Sequence, residues 1–149
     1  MATVTQPLGT RTELTSTGFS TLASATYVAT AVYICNTNKP VDVAVEVACA
    51  TTNTPTGNKQ VAVFLKESID GTNFRSGPES GTTATDEPNL RYLGVIPMNT
   101  ASVTQRETFS VRRALGYVPH SFKVVLKNDL GVALTGGNVY TSEVSVVSA

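Results

Sequence analysis

The stretch Val41-Asp42-Val43-Ala44-Val45-Glu46-Val47-Ala48-Cys49-Ala50 alternates with a period of two over its whole length. Successive side chains of a strand point to opposite faces, so this spacing buries the valines and wets Asp42 and Glu46. A helix turning about 100° per residue would scatter the same valines around its surface. Gln60 to Ser68 repeats the pattern, with Val61, Val63 and Leu65 on one side and Ala62, Phe64 and Lys66 on the other. The chain as a whole holds 23 Thr and 20 Val. Their branching at Cβ stiffens χ1 in a way that suits strands and penalises helices. The fold class is therefore all-β.

Further strands are expected at Tyr27 to Cys35, Leu90 to Ile96, Ala101 to Val111, Phe122 to Lys127 and Val139 to Val147. Turn chemistry separates them. Asn36-Thr37-Asn38-Lys39-Pro40 predicts a hairpin between the first of these and Val41, and Asp70-Gly71 predicts a type I′ turn, which needs positive φ. Asn128-Asp129-Leu130-Gly131 and Gly136-Gly137-Asn138 punctuate the last two strands. Arg75 to Pro88 has almost no apolar residues and reads as a long exposed loop of the kind that forms binding surfaces. About eight antiparallel strands with no amphipathic helix and no internal repeat predict one β-sandwich or jelly-roll-like domain over residues 25–149. Residues 1–24, rich in Thr, Ser and Gly, predict an extended N-terminal arm whose spaced apolar residues Val4, Leu8, Leu14 and Phe19 would contact a neighbouring sheet.

At 149 residues one domain is expected, burying roughly 68–70% of the surface its unfolded chain exposes. No apolar run approaches the ~18 residues of a membrane span, and the first residues lack a basic and then apolar leader, which predicts folding in a cytoplasm. Eleven basic and eleven acidic side chains cancel, which argues against nucleic-acid or anionic-membrane partners.

Candidate chemistry is sparse. The single His120 follows Tyr117-Val118-Pro119 at a strand entrance, and no GxSxG, HExxH, Walker or GxGxxG pattern accompanies it. Cys35 and Cys49 are expected as buried free thiols. With the chain turning at Thr37–Pro40, Cys49 would lie about 27 Å along its strand from the position facing Cys35, whereas a bridge needs Cα atoms within about 7 Å. Zinc would need two further ligands beside these. Asp70 with Asn73, and Asp86 with Glu87, offer oxygen ligands to Ca²⁺, but without EF-hand spacing, and the turn accounts for Asp70-Gly71. The expectation is no catalytic residue, no metal and no cofactor. One local charge imbalance stands out. Arg106, Arg112, Arg113, Lys123 and Lys127 face the single acid Glu107 between positions 106 and 127. They are either solvent-facing positions on strands or a patch for an acidic protein surface. The aromatic interleaving that stacks bases is missing there.

Three stretches together carry a resemblance: VFLKESIDGTNF (63–74), LGYVP (115–119) and FKVVLKNDLGVAL (122–134). A strand ending in S-x-D-G-T-N-F, followed by these two segments, resembles small β-sandwich virion proteins of tailed bacteriophages, some of them capsid decoration (cement) proteins. The resemblance spans about Gln60 to the C-terminus. It implies a structural, non-enzymatic role on the exterior of the capsid, with the major capsid protein as partner and a homo-oligomer, trimer favoured, as the working form. The alternative is a receptor- or carbohydrate-binding module of a phage tail, neck or fibre.

Overall fold

The computed structural model describes residues 4–14 and 16–148. Positions 1–3 of the expected arm, Thr15 and Ala149 lie outside the described residues. Twelve strands are present among them, of which eight have three residues or more: β1 Val4–Thr5, β2 Thr12–Leu14, β3 Tyr27–Ala29, β4 Tyr33–Ile34, β5 Asp42–Ala50, β6 Gln60–Ser68, β7 Ser80–Gly81, β8 Arg91–Pro97, β9 Gln105–Ser110, β10 Ser121–Asn128, β11 Gly136–Val144 and β12 Val147–Ser148. Every pairing is antiparallel. One sheet runs β7-β3-β10-β6-β8, with β4 also on β10; the other runs β2-β11-β5-β9; β1 and β12 form a separate two-stranded ribbon. The two larger sheets pack face to face as an all-β sandwich.

The alternation in β5 and β6 sets the core. Val43, Val45, Val47 and Cys49 from β5 meet Val61, Val63 and Leu65 from β6, together with Phe122, Val124 and Leu126 of β10 and Val139 of β11. The largest side chain in this layer that the pattern did not assign to it is Phe19. It is fully buried, and a Cβ added at Gly137 would sit 2.7 Å from its ring, so the sheet backbone comes close to the ring only because position 137 is glycine. Leu14 and Leu22 share the same core. The expectation of an arm outside the domain is thus corrected for Leu14 and Phe19, which are core residues. Val4 and Leu8 are exposed, at 62% and 64%.

Connections depart from the predicted hairpins because the chain keeps changing sheets. Residues 36–40 do turn, but they carry the chain from β4 in one sheet to β5 in the other. The strand expected at 27–35 breaks after Ala29. There the Thr30 amide still donates to the Val124 carbonyl of β10, but the Val124 amide donates to the Thr30 hydroxyl at 3.0 Å in place of a backbone carbonyl of this segment. Asp70-Gly71 is a turn with Gly71 at φ +81°, yet Asp70 keeps a negative φ, so it is not type I′. Asp70 instead closes the turn with its carboxylate: Oδ1 accepts from the amides of Thr72 and Asn73 at 2.9 and 2.8 Å. The strand expected at 101–111 is β9 followed by a one-turn helix, α1 Val111–Leu115. Ser110 caps it by accepting the Arg113 amide, and Gly116 ends it.

Candidate interaction surfaces

The basic residues between positions 106 and 127 do not form one patch. Arg106 lies on β9 of the four-stranded sheet, where Glu46 is 3.5 Å away. Arg112 and Arg113 are exposed on α1, and the backbone amide of Arg112 donates to Asp42 Oδ1 at 2.9 Å. Lys123 and Lys127 belong to β10 in the other sheet and are only 21% exposed. Their charges are already matched. Lys123 Nζ reaches Glu79 Oε2 at 2.8 Å, and Lys127 Nζ reaches Glu87 Oε2 at 2.8 Å. This corrects the expectation of Lys123 and Lys127 as free cationic contacts, because residues distant in sequence neutralise them.

The neutralising acids come from residues 75–90, which lie folded onto the outer face of the six-stranded sheet. Glu79 also takes Lys66 Nζ at 2.7 Å, and Lys66 donates to the Gly77 carbonyl at 3.0 Å. Glu87 accepts from the Tyr27 hydroxyl as well as from Lys127. At the root, Arg75 Nε pairs with Glu67 at 2.7 Å. Partial burial opposes ionisation of Glu79, but hydrogen bonds from Lys123 and Lys66 outweigh it and hold its pKa below the usual carboxylate range. Glu87 is lowered in the same way, against its own burial, by Lys127 and Tyr27. Beneath this segment Tyr27, Ala62, Phe64 and Val125 form, with Leu90 of the segment itself, a second apolar cluster, separate from the main core.

The outer face of the four-stranded sheet carries no such cover among the described residues. The Arg11 guanidinium stacks on Tyr140, 3.3 Å from the ring centroid, and donates to Glu46 at 2.6 Å. That hydrogen bond lowers the Glu46 pKa, partial burial notwithstanding. Beside it, a groove of about 610 Å³ is lined by Leu8, Tyr92, Phe109, Arg113, Ala114 and Val144 among others.

A third surface is one end of the sandwich. β6 ends at Ser68, which pairs with Ser121 at the start of β10, and Ser121 also pairs with Ile34. In the other sheet, Asp42 at the start of β5 faces Val144 at the end of β11. Segments 35–41, 69–73 and 111–120 therefore gather at this end. Ile69, 79% exposed, is its most accessible apolar side chain, and Ile34 and Tyr117 are exposed with it. The bridge between Leu8 and Val144 and the β1–β12 ribbon extend the same end with Val4, Val146 and Val147. Seven of the ten large apolar side chains exposed among the described residues belong to this end and its ribbon. Arg112 and Arg113 stand at its margin on α1.

His120 is half-buried here. A Cβ added at Gly71 would sit 2.8 Å from its ring, and among the described residues neither His120 Nδ1 nor Ser121 Oγ has a hydrogen-bond partner. Cys35 and Cys49 are buried free thiols, both pushed up to about 12 by burial, and Cys49 Sγ lies 3.2 Å from Met98 Sδ. Asp70 is fully engaged by its own turn. Its pKa is held well below the usual range by the Asn73 and Thr72 amides. Among the described residues no group of three or more His, Cys, Asp or Glu could hold a metal ion. No helix among them is long and apolar enough to cross a membrane.

Sequence reading missed Glu79 and Glu87 as partners of the lysines. The signal available was a segment poor in apolar residues that carries acids but only the one base Arg75, alongside lysines on the solvent-side register of β6 and β10. It also missed α1, whose Ser110 and Gly116 are a start and a stop at the right distance. No protein-family model matches the chain, and no curated protein matches it.

Proposed function

We propose that this chain is a structural virion protein that decorates the outside of a bacteriophage head. It is made in the host cytoplasm and works by surface complementarity, not by chemistry. The observation that carries the reading is the apolar end. Exposed Ile34, Ile69, Tyr117, Val4, Leu8, Val146 and Val147 are concentrated on one end and its ribbon, with Arg112 and Arg113 at the margin. An apolar centre with a charged rim is how protein-binding surfaces are built. The guanidiniums suit carboxylates of an acidic capsid subunit. The resemblance of residues 60 onward to phage virion sandwiches supports the same reading.

The chain has no net charge, so long-range steering adds little and the grip rests on buried area and repetition. A standard interface buries about 1,600 Å², and joining copies into an oligomer, a trimer on this proposal, multiplies avidity by about 10²–10⁴. The test mixes purified protein with undecorated heads of the cognate phage, counts bound copies by electron microscopy and compares heat-induced genome release. Binding at regular sites with delayed release is expected. Ile69→Asp should weaken binding while the protein stays folded. Failure to bind the heads, or ordered density only at the tail, would overturn the decoration reading. A glycan- or receptor-binding module of a tail or fibre is the alternative, favoured by exposed Tyr92 in the 610 Å³ groove; saturable binding of an oligosaccharide, lost in Tyr92→Ala, would select it.

A further inference from the structure

We propose that residues 75–90 are a releasable strap, a segment held by two carboxylates over an apolar layer on the outside of the six-stranded sheet, able to detach while the sandwich stays folded. An outer sheet face is ordinarily polar and wet. Here that face presents Ala62, Phe64 and Val125, with Tyr27, and they are buried because the strap lies on them.

The strap's own hold is thin. Its backbone pairs with the sheet through β7 alone, Tyr27 with Gly81 and Val28 with Ser80, besides the Arg75 amide on the Glu67 carbonyl. Leu90 is its one buried large apolar anchor, and residues 80–86 are exposed throughout. The remaining attachments are side-chain contacts: Glu79 and Glu87 with the lysines and Tyr27, Lys66 on the Gly77 carbonyl, and Arg75 on Glu67 at the root. A segment with little buried apolar area opens at lower free-energy cost than the core beneath it. The main core lies on the opposite face of β6 and β10 and shares none of the strap's contacts.

The charged surroundings set the direction of the pH response. Glu79 faces Lys66 and Lys123. Glu87 faces Lys127 and the Tyr27 phenol, with Asp129 on the far side of Lys127 at 3.8 Å. Glu67 faces Arg75 and Arg91 at the root. Both strap carboxylates titrate below their ordinary value of 4.5, so their hold is complete above that pH and is lost as pH falls through the lowered values. Asp129 is shifted the other way, upwards by burial, against the pull of Lys127. Release therefore belongs to the acid side of pH 4.5.

Hydrogen exchange read by mass spectrometry on the full chain tests this. At pH 7 the Glu79→Gln/Glu87→Gln variant should exchange in peptides covering 79–90 about tenfold faster than wild type, with β5 and β11 unchanged. An apolar dye should gain fluorescence on the variant. Unchanged exchange in the strap, or equal acceleration in β5 and β11, would overturn the proposal. If the variant does not fold, the same peptides are compared in wild-type protein at pH 7 and pH 3.5, corrected for intrinsic exchange, and equal loss of protection everywhere overturns it.

Discussion

The two outer faces of this sandwich solve the same problem differently. On the six-stranded side the solvent register of β6 and β10 carries Ala62, Phe64 and Val125 among Lys66, Lys123 and Lys127, and residues 75–90 fold back over them with matching acids. On the four-stranded side the solvent register of β5 carries Ala44, Glu46 and Ala48, small or charged, and a single stacked set of Arg11, Tyr140 and Glu46 suffices. The difference lies in how much apolar surface each strand leaves outward. Phe64 and Val125 lie under a covering segment, whereas on the other face Ala44 and Glu46 leave Tyr140 as the large ring, and the Arg11 guanidinium stacks on it. Local charge follows from this. Lysines on the covered face are paired and half-hidden, whereas Arg112 and Arg113, near the start of β5, are exposed and in no ion pair among the described residues, Arg112 donating only to the Val41 carbonyl at 3.4 Å besides its own backbone contacts.

Four measurements break or sharpen that contrast. The largest effect is expected from Phe64→Ala, which empties the layer under the strap and should cost about 3 kcal/mol in urea denaturation. Tyr140→Ala on the open face should cost about 1 kcal/mol. Equal costs would mean that the two faces are equally structural. Next, Gly71→Val lies on neither face and calibrates the scale. The left-handed backbone and the His120 ring against position 71 make a loss of roughly 1 kcal/mol or more the expected outcome by the same method.

A smaller effect is the acid dependence. Wild-type stability should fall as pH drops below about 4.5, because Glu79 and Glu87 are bound to lysines in the folded chain and must be protonated to be released. The Glu79→Gln/Glu87→Gln variant should show a flatter profile, the difference being about 1 kcal/mol after solvent screening. Parallel profiles would place the acid-sensitive groups elsewhere. The smallest is on the open face. Arg11→Ala should leave the midpoint of unfolding nearly unchanged, while the Glu46 carboxyl, followed by NMR titration, moves up towards its ordinary value because its largest lowering partner is gone. No movement of Glu46 would detach it from Arg11.

Period-two spacing in Val41–Ala50 and Gln60–Ser68 determined the strands, which side chains share a face and the all-β class, because alternation is a local property that neither sheet order nor partner can reverse; that both faces of Gln60–Ser68 are buried was decided by the fold. Asp70-Gly71 and Asn36–Pro40 likewise determined that the chain turns there. Where each turn leads is a tertiary matter. A turn that closes a hairpin and one that crosses to the facing sheet use the same residues, and packing of the two Val faces selects between them. Phe19 and Leu14 could not be assigned from a Thr/Ser-rich context. They are core residues because Gly137 leaves room for the ring and β2 pairs with β11. The fate of the basic residues was also decided in three dimensions. Charge counts are additive along a chain, but whether a lysine is free depends on which acid the fold brings within about 4 Å, and Glu79 and Glu87 reach Lys123 and Lys127 only when residues 75–90 lie down on the sheet.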